Sequence, residues 1–130
     1  MKRVLVIVVA VIVVGCRGRK EQYMAAASLS QGFALAGTAK TFVGAAYSDS
    51  GKWPSSNEEA RLPAPNTYAS DLVNDLTVSG GGVITVHFKA GGTLKLIPDG
   101  GTADTGLRWR CATTKFQGLA ALVPQCKSED

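Results

Sequence analysis

From Glu21 to about Tyr47 the chain contains no proline, is rich in alanine, and repeats its apolar residues at helical spacing. Leu35, Ala39, Phe42, Val43 and Ala46 form one stripe, which Leu29, Phe33 and Ala36 extend toward the N-terminus. Residues three and four apart share a face of an α-helix, so the pattern predicts one long amphipathic helix. Gly32, Gly37 and Gly44 interrupt it, and each costs up to about 1 kcal/mol relative to alanine in a helix interior. A helix so weakened must lean on another surface, and the chain that follows has to supply it.

That chain divides into a loop and a β region. Asp49, Ser50 and Gly51 stop the helix, while Pro54, Pro63 and Pro65 prevent another long one before about Ser70. Ser55-Ser56-Asn57 is placed to cap a short turn over Glu58-Glu59-Ala60. Trp53 is the expected buried anchor of a loop too long to be a simple connection. Strands are expected at Leu76–Ser79, Val83–Phe88, Thr93–Ile97 and Leu107–Thr113, separated by Gly80-Gly81-Gly82, a Lys89–Gly92 turn and a long Pro98–Gly106 turn. Alternation of Leu94 and Leu96 against Thr93, Lys95 and Ile97 gives that region one covered face and one wetter face. The expected fold class is α+β: one long N-terminal helix packed on a four-stranded antiparallel meander sheet.

The first sixteen residues carry a different message. Lys2 and Arg3 precede an unbroken apolar run, Val4 to Val14, which Gly15 and Cys16 close. A basic start, an apolar stretch and a small residue before the cut match a secretory leader. Bacterial lipoprotein leaders resemble this, with a cysteine that becomes the lipid-bearing N-terminus. The run is too short for a transmembrane helix, which needs roughly 20 apolar residues; Arg17, Arg19 and Lys20 end it at once. The expected organisation is therefore a lipoprotein-type signal peptide at 1–15, the lipidated Cys16 with a basic linker at 16–22, and a globular domain at 23–130. A plain cleaved leader and a short membrane anchor are the alternatives. Arg17 after the cysteine, in place of aspartate, resembles outer-membrane sorting in bacteria of the enteric type. Basic residues beside an anchor gain up to about 1 kcal/mol each from anionic headgroups.

Charge and cysteine usage narrow the function. Of fourteen basic residues, five (Lys2, Arg3, Arg17, Arg19 and Lys20) lie in the first twenty positions, and none of the ten acidic residues does. The domain is thus near neutral and lacks a general nucleic-acid footprint; Lys89, Lys95, Arg108, Arg110 and Lys115 would have to share a face to make a ligand- or DNA-binding module. Setting Cys16 aside leaves Cys111 and Cys126, an even pair in an oxidising compartment, expected as a disulfide with two free buried thiols as the alternative. His87 is the only histidine and has no cysteine or carboxylate cluster at ligand spacing. The glycine runs punctuate hairpins and do not lead into a helix as a phosphate loop must. No catalytic set, metal site or cofactor is expected.

Several strings, in order, resemble the type IVa pilins. Tyr47 to Asn57, YSDSGKWPSSN, is similar to the helix-to-loop junction in which Gly-x-Trp-Pro-x-Ser-Asn is characteristic. Ala34 to Lys40 resembles the helix leading into it, Leu94–Pro98 and Arg108–Cys111 the third and fourth strands, and Leu122-Val123-Pro124-Gln125-Cys126 the close of the pilin disulfide loop. The resemblance implies a pilin head whose αβ-loop, Ser48–Ser70, and disulfide-bounded region make subunit, surface or adhesive contacts. By that implication residues 112–125, with Lys115, Phe116, Gln117 and Leu119, are the candidate contact surface. The N-terminus departs from the family: no Phe-Thr-Leu-Ile-Glu string follows a glycine, and Arg17-Gly18-Arg19-Lys20 stands where the polymerising helix is apolar. The expected role is a non-enzymatic, pilin-like protein tethered to a membrane through Cys16, with pilins or pilus and secretion assembly proteins as partners. A pilin or minor pilin subunit at the cell surface is the alternative.

Overall fold

The computed structural model describes the backbone of residues 5–102, 106–115 and 126–128, and the side chains of residues 23–101 and 106–115. Helix α1 spans Leu5–Ser50; a 3-10 turn, Pro65–Tyr68, precedes strands β1 (Val73–Ser79), β2 (Val83–Phe88), β3 (Thr93–Thr102), β4 (Gly106–Thr114) and β5 (Cys126–Ser128). The strands form one sheet in chain order. β1 to β4 pair antiparallel, and the three-residue β5 adds itself parallel to β4. One long helix on a four-stranded antiparallel meander is therefore the architecture, as the sequence pattern implies, with β5 as an addition the pattern did not disclose.

α1 begins at Leu5 rather than Glu21 and ends at Ser50. Its stop is a glycine cap: Gly51 takes φ +75° and donates its N–H to Tyr47 O at 2.8 Å, satisfying a carbonyl that the helix leaves open. Among the described residues no helix is long and apolar enough to cross a membrane.

Among the described side chains of α1, Leu29, Ala36, Ala39 and Val43 are the buried apolar positions, against Val73, Leu76, Val78, Ile84, Val86, Phe88, Leu94, Leu96 and Cys111 of the sheet. With Gly32 also buried, the stripe advances by alternating steps of three and four residues, the seam of a helix lying along a flat partner. Phe42, expected in the stripe, is 44 % exposed, because it sits one residue, or about 100° of helix, away from Val43. The seam is narrow in bulk as well as in width. A Cβ built on Gly32 would lie 2.5 Å from Phe88 Cζ and 3.3 Å from Leu94 Cδ2, so the aromatic ring of β2 occupies the space that a side chain would need.

The strand boundaries differ from expectation at one place. Pro98–Thr102, expected as a turn, continues β3: Pro98 is opposite Trp109 and Gly101 opposite Leu107, with a register shift between them. Gly100 and Gly101 hold φ +108° and +87°, which lets the strand bulge and resume pairing. Tyr68, after the loop, is half-buried against the core, and that desolvation raises its phenol pKa.

Gly32→Ala is expected to destabilise the head by about 1–3 kcal/mol through overpacking against Phe88. Gly37→Ala, with nothing within 4 Å of its added methyl, should stabilise by up to about 1 kcal/mol. Urea unfolding of the two variants checks this opposition of sign.

Candidate contact surfaces

The loop from Gly51 to Leu72 fastens itself to the helix end and the sheet in three steps. First, Tyr47 at the end of α1 stacks on Trp53, ring centroids 4.0 Å apart and planes 12° apart. Trp53 in turn meets Trp109 of β4 edge-on at 6.1 Å. Beneath it lies the β1–β2 turn: a Cβ on Gly82 would come 2.7 Å from Trp53 Cε3 and 3.2 Å from Val43 Cγ1, and Gly82 N–H donates to Pro54 O at 3.1 Å. Only a glycine, here at φ +74°, admits the indole so closely.

Second, Ser56 Oγ accepts the N–H of Glu59 at 3.1 Å, while the Glu59 carboxylate accepts the N–H of Ser55 at 2.7 Å. This is the reciprocal logic of a capping box, spent on a single turn. Arg61 closes that turn in the left-handed region, φ 59°.

Third, Asn57 works as a piece of strand. Its Oδ1 accepts the N–H of Val78 at 2.7 Å, and its Nδ2 donates to Leu76 O and Pro63 O at 2.9 Å each. Asn57 is 5 % exposed. The buried edge of β1, which would otherwise present an unpaired donor and acceptor, is thereby closed by one amide. The sequence pattern shows Asn57 as a turn-capping residue; its role on β1 depends on a contact with a strand that lies 21 residues further on.

Two surface hollows flank this loop. One, about 520 Å³, lies between the C-terminal turns of α1 and the loop; Phe42, Ala46, Trp53 and Pro54 form its apolar floor, and Asp49, Lys52, Glu59 and Arg61 its rim. The second, about 500 Å³, runs beside the outer edge of β1, between Ser56–Glu58, Leu62–Pro65 and Thr77–Val78.

At the other edge of the sheet, the β4–β5 register sets Cys111 beside Cys126, Ala112 beside Lys127 and Thr113 beside Ser128. Lys115 leaves β4 with φ 63°, and its side chain lies across Gly91 of the β2–β3 turn, where a Cβ would be 2.9 Å from Nζ. Phe116, Gln117 and Leu119 lie outside the described residues, as does the rest of 116–125.

The outer face of the sheet answers two other questions. His87 has a carboxylate partner after all: its Nδ1 is 2.6 Å from Asp75 Oδ1, which also accepts from Thr77 Oγ1 at 3.3 Å. Asp75 is directly opposite His87 in the β1–β2 hairpin; counting outward from Gly81 would have found it. The pair is half-exposed, and among the described residues no three histidine, cysteine, aspartate or glutamate side chains are grouped to hold a metal. As for the basic residues, Lys95 is opposite Ala112 and Ile97 opposite Arg110, so Lys95, Arg108 and Arg110 share the outer face. Lys89 and Lys115 lie instead at the β2–β3 turn.

A helical spine on an antiparallel meander, with the joining loop locked between them by Tyr47, Trp53 and Asn57, is a pilin-type head. The family model described as Pilin (bacterial filament) matches residues 25–127, and the chain belongs to that family. It is 35% identical over 102 residues to the fimbrial protein EcpC of Eikenella corrodens, an alignment covering 72% of this chain and 65% of the relative's length. The chain is thus a member of a structural, filament-forming family.

Asn57→Ala is expected to lower stability by about 2–4 kcal/mol, since it strands the Val78 N–H and two carbonyls. Asn57→Asp should cost as much, because it keeps the acceptor and turns a carboxylate oxygen toward those carbonyls. Trp53→Ala should cost about 3 kcal/mol. Equilibrium denaturation measures all three.

Proposed function

We propose that this protein is a pilus-associated structural head held at a membrane by a lipid on Cys16. The carrying observation is the junction itself: a pilin head joined to Val13-Val14-Gly15-Cys16 and then Arg17-Gly18-Arg19-Lys20. In a filament those cations would be packed among apolar helices at a cost of several kcal/mol each unless paired. Beside a membrane they meet anionic headgroups at no such cost. On this reading residues 1–15 are a cleaved leader, and the exported head stands at the outer membrane.

The head's working surface, in the same proposal, is residues 112–125, with Lys115, Phe116, Gln117 and Leu119 in contact with pilins or assembly proteins. A Cys111–Cys126 disulfide encloses it. The register supports the bond, because neighbouring strands lie about 4.8 Å apart and disulfides span Cα separations of about 4.4–6.8 Å. The role is non-enzymatic, in keeping with the family. A second reading, a minor pilin incorporated in the filament, draws on the fimbrial relative and on an α1 that runs unbroken from Leu5 into the head.

Mass spectrometry of the mature N-terminus separates the two: the tether requires a lipid-modified Cys16, and a Cys16→Ser chain should leave the membrane fraction. Recovery of the protein in sheared, purified filaments would instead establish the minor-pilin reading. Replacing Cys111 and Cys126 by serine should cost about 3 kcal/mol, the chain-entropy value for a loop of about 15 residues.

A further inference from the structure

Contacts along α1 show which end of the sheet faces the N-terminus. Val43 lies beside Gly82 and Gly44 beside Leu107, whereas Gly32 lies beside Phe88 and Leu94. β2 therefore runs down α1, against its direction, and the Lys89–Gly92 turn that follows projects past Phe88 toward the helix N-terminus. Lys89 is exposed in that turn, and the Lys115 side chain lies across it. Just beyond, Tyr23 and Met24 are 76 % and 48 % exposed on α1. Arg17, Arg19 and Lys20 follow within two turns of the same unbroken helix. Asp71 is an exposed acidic residue of this rim, next to Leu72, whose carbonyl accepts the Lys89 N–H at 2.9 Å, and Glu21 follows Lys20 in the sequence.

We infer that this lower rim of the head is a footing on an anionic lipid surface. Tyr23 and Met24 enter the headgroup layer, and Lys89 and Lys115 join the three cations of α1 in neutralising it. Two features select lipid as the occupant. The helix leads directly from the rim into the Val4–Val14 apolar run, so whatever receives that run or the Cys16 lipid also faces the rim. The charge is complementary as well, because Lys89 and Lys115 add to Arg17, Arg19 and Lys20 of α1 and outnumber Glu21 and Asp71. Gly32 is twelve residues above Lys20, about 18 Å of helix. The turn and a lysine stem close most of that gap, to within a Debye length of about 10 Å at 0.1 M salt. Tyrosine suits the position, since its ring is apolar and its hydroxyl stays wet. The inference rests on the reading that the chain is held at a membrane, and it specifies how the head meets that membrane.

The test uses the full chain carrying Tyr23→Trp, reconstituted in vesicles of brominated phosphatidylcholine with or without brominated phosphatidylglycerol. Trp53 and Trp109, at the far end of the head, serve as internal controls. The expected result is that the emission added at position 23 is largely quenched, only when phosphatidylglycerol is present. Raising salt from about 0.1 M to about 1 M, which shortens the Debye length to about 3 Å, should abolish the quenching. Lys89→Glu with Lys115→Glu should abolish it too, and Lys95→Glu with Arg110→Glu, the same charge change on the outer face, should not. Quenching that ignores phosphatidylglycerol, or equal loss from both pairs, overturns the footing. The outcome does not depend on what Cys16 carries: an unmodified Cys16 defeats the tether while leaving this result readable.

Discussion

The sheet can lie on α1 only because the helix offers it so little side chain. Ser28, Gly32, Ala36 and Ala39 form most of the contacting seam, and the bulk comes from the other layer, from Phe88, Leu94, Ile84 and Val86. That division has an energetic logic. Small residues give the helix poor cohesion of its own, through glycine entropy and little buried apolar area. They also allow a close approach, so that the large β side chains are buried against helix backbone. Helix and sheet are consequently one cooperative unit, and neither has a stable existence that precedes the other.

The loop then has to hold the two layers in register, and the GKWPSSN string divides that labour. Gly51 turns the chain away from the helix, Trp53 wedges between Tyr47, Trp109 and Gly82, Pro54 offers its carbonyl to the same turn, Ser56 caps, and Asn57 completes β1. A sequence signature of the family is here a fastening device, and each of its named letters has a separate mechanical reason. It keeps an edge strand satisfied and leaves the surrounding loop surface open to other contacts.

Much of this was legible in the residues, for reasons that also mark the limits. Helical spacing, glycine punctuation and the alternation in β3 and β4 are local signals, and they placed α1 and four strands. Phe42 was misplaced because a window of spacing alone admits residues on either flank of a stripe. β3 was cut short at Pro98 because proline and two glycines read as a turn, whereas pairing with Trp109 and Leu107 carries the strand through a bulge. β5 is three residues long and owes its existence to β4, so no local pattern could announce it. In the candidate site, Ser56 as cap followed from residue type, and Trp53 anchors the loop as expected but is half-buried where burial was expected. Asn57 on β1 and Asp75 beside His87 required the strand register.

An unbroken helix joining the apolar N-terminal run to the head is also a transmission shaft. Each residue advances α1 by about 1.5 Å and rotates it by about 100°. The count of residues between Cys16 and the buried Ser28 therefore sets two things together: the rise from one to the other along the helix, and the compass direction in which the β4–β5 edge points relative to Cys16. Length in this segment is not free in the way that a flexible linker's length is free. One residue more or fewer would leave every contact within the head intact and turn its face away from whatever stands beside it.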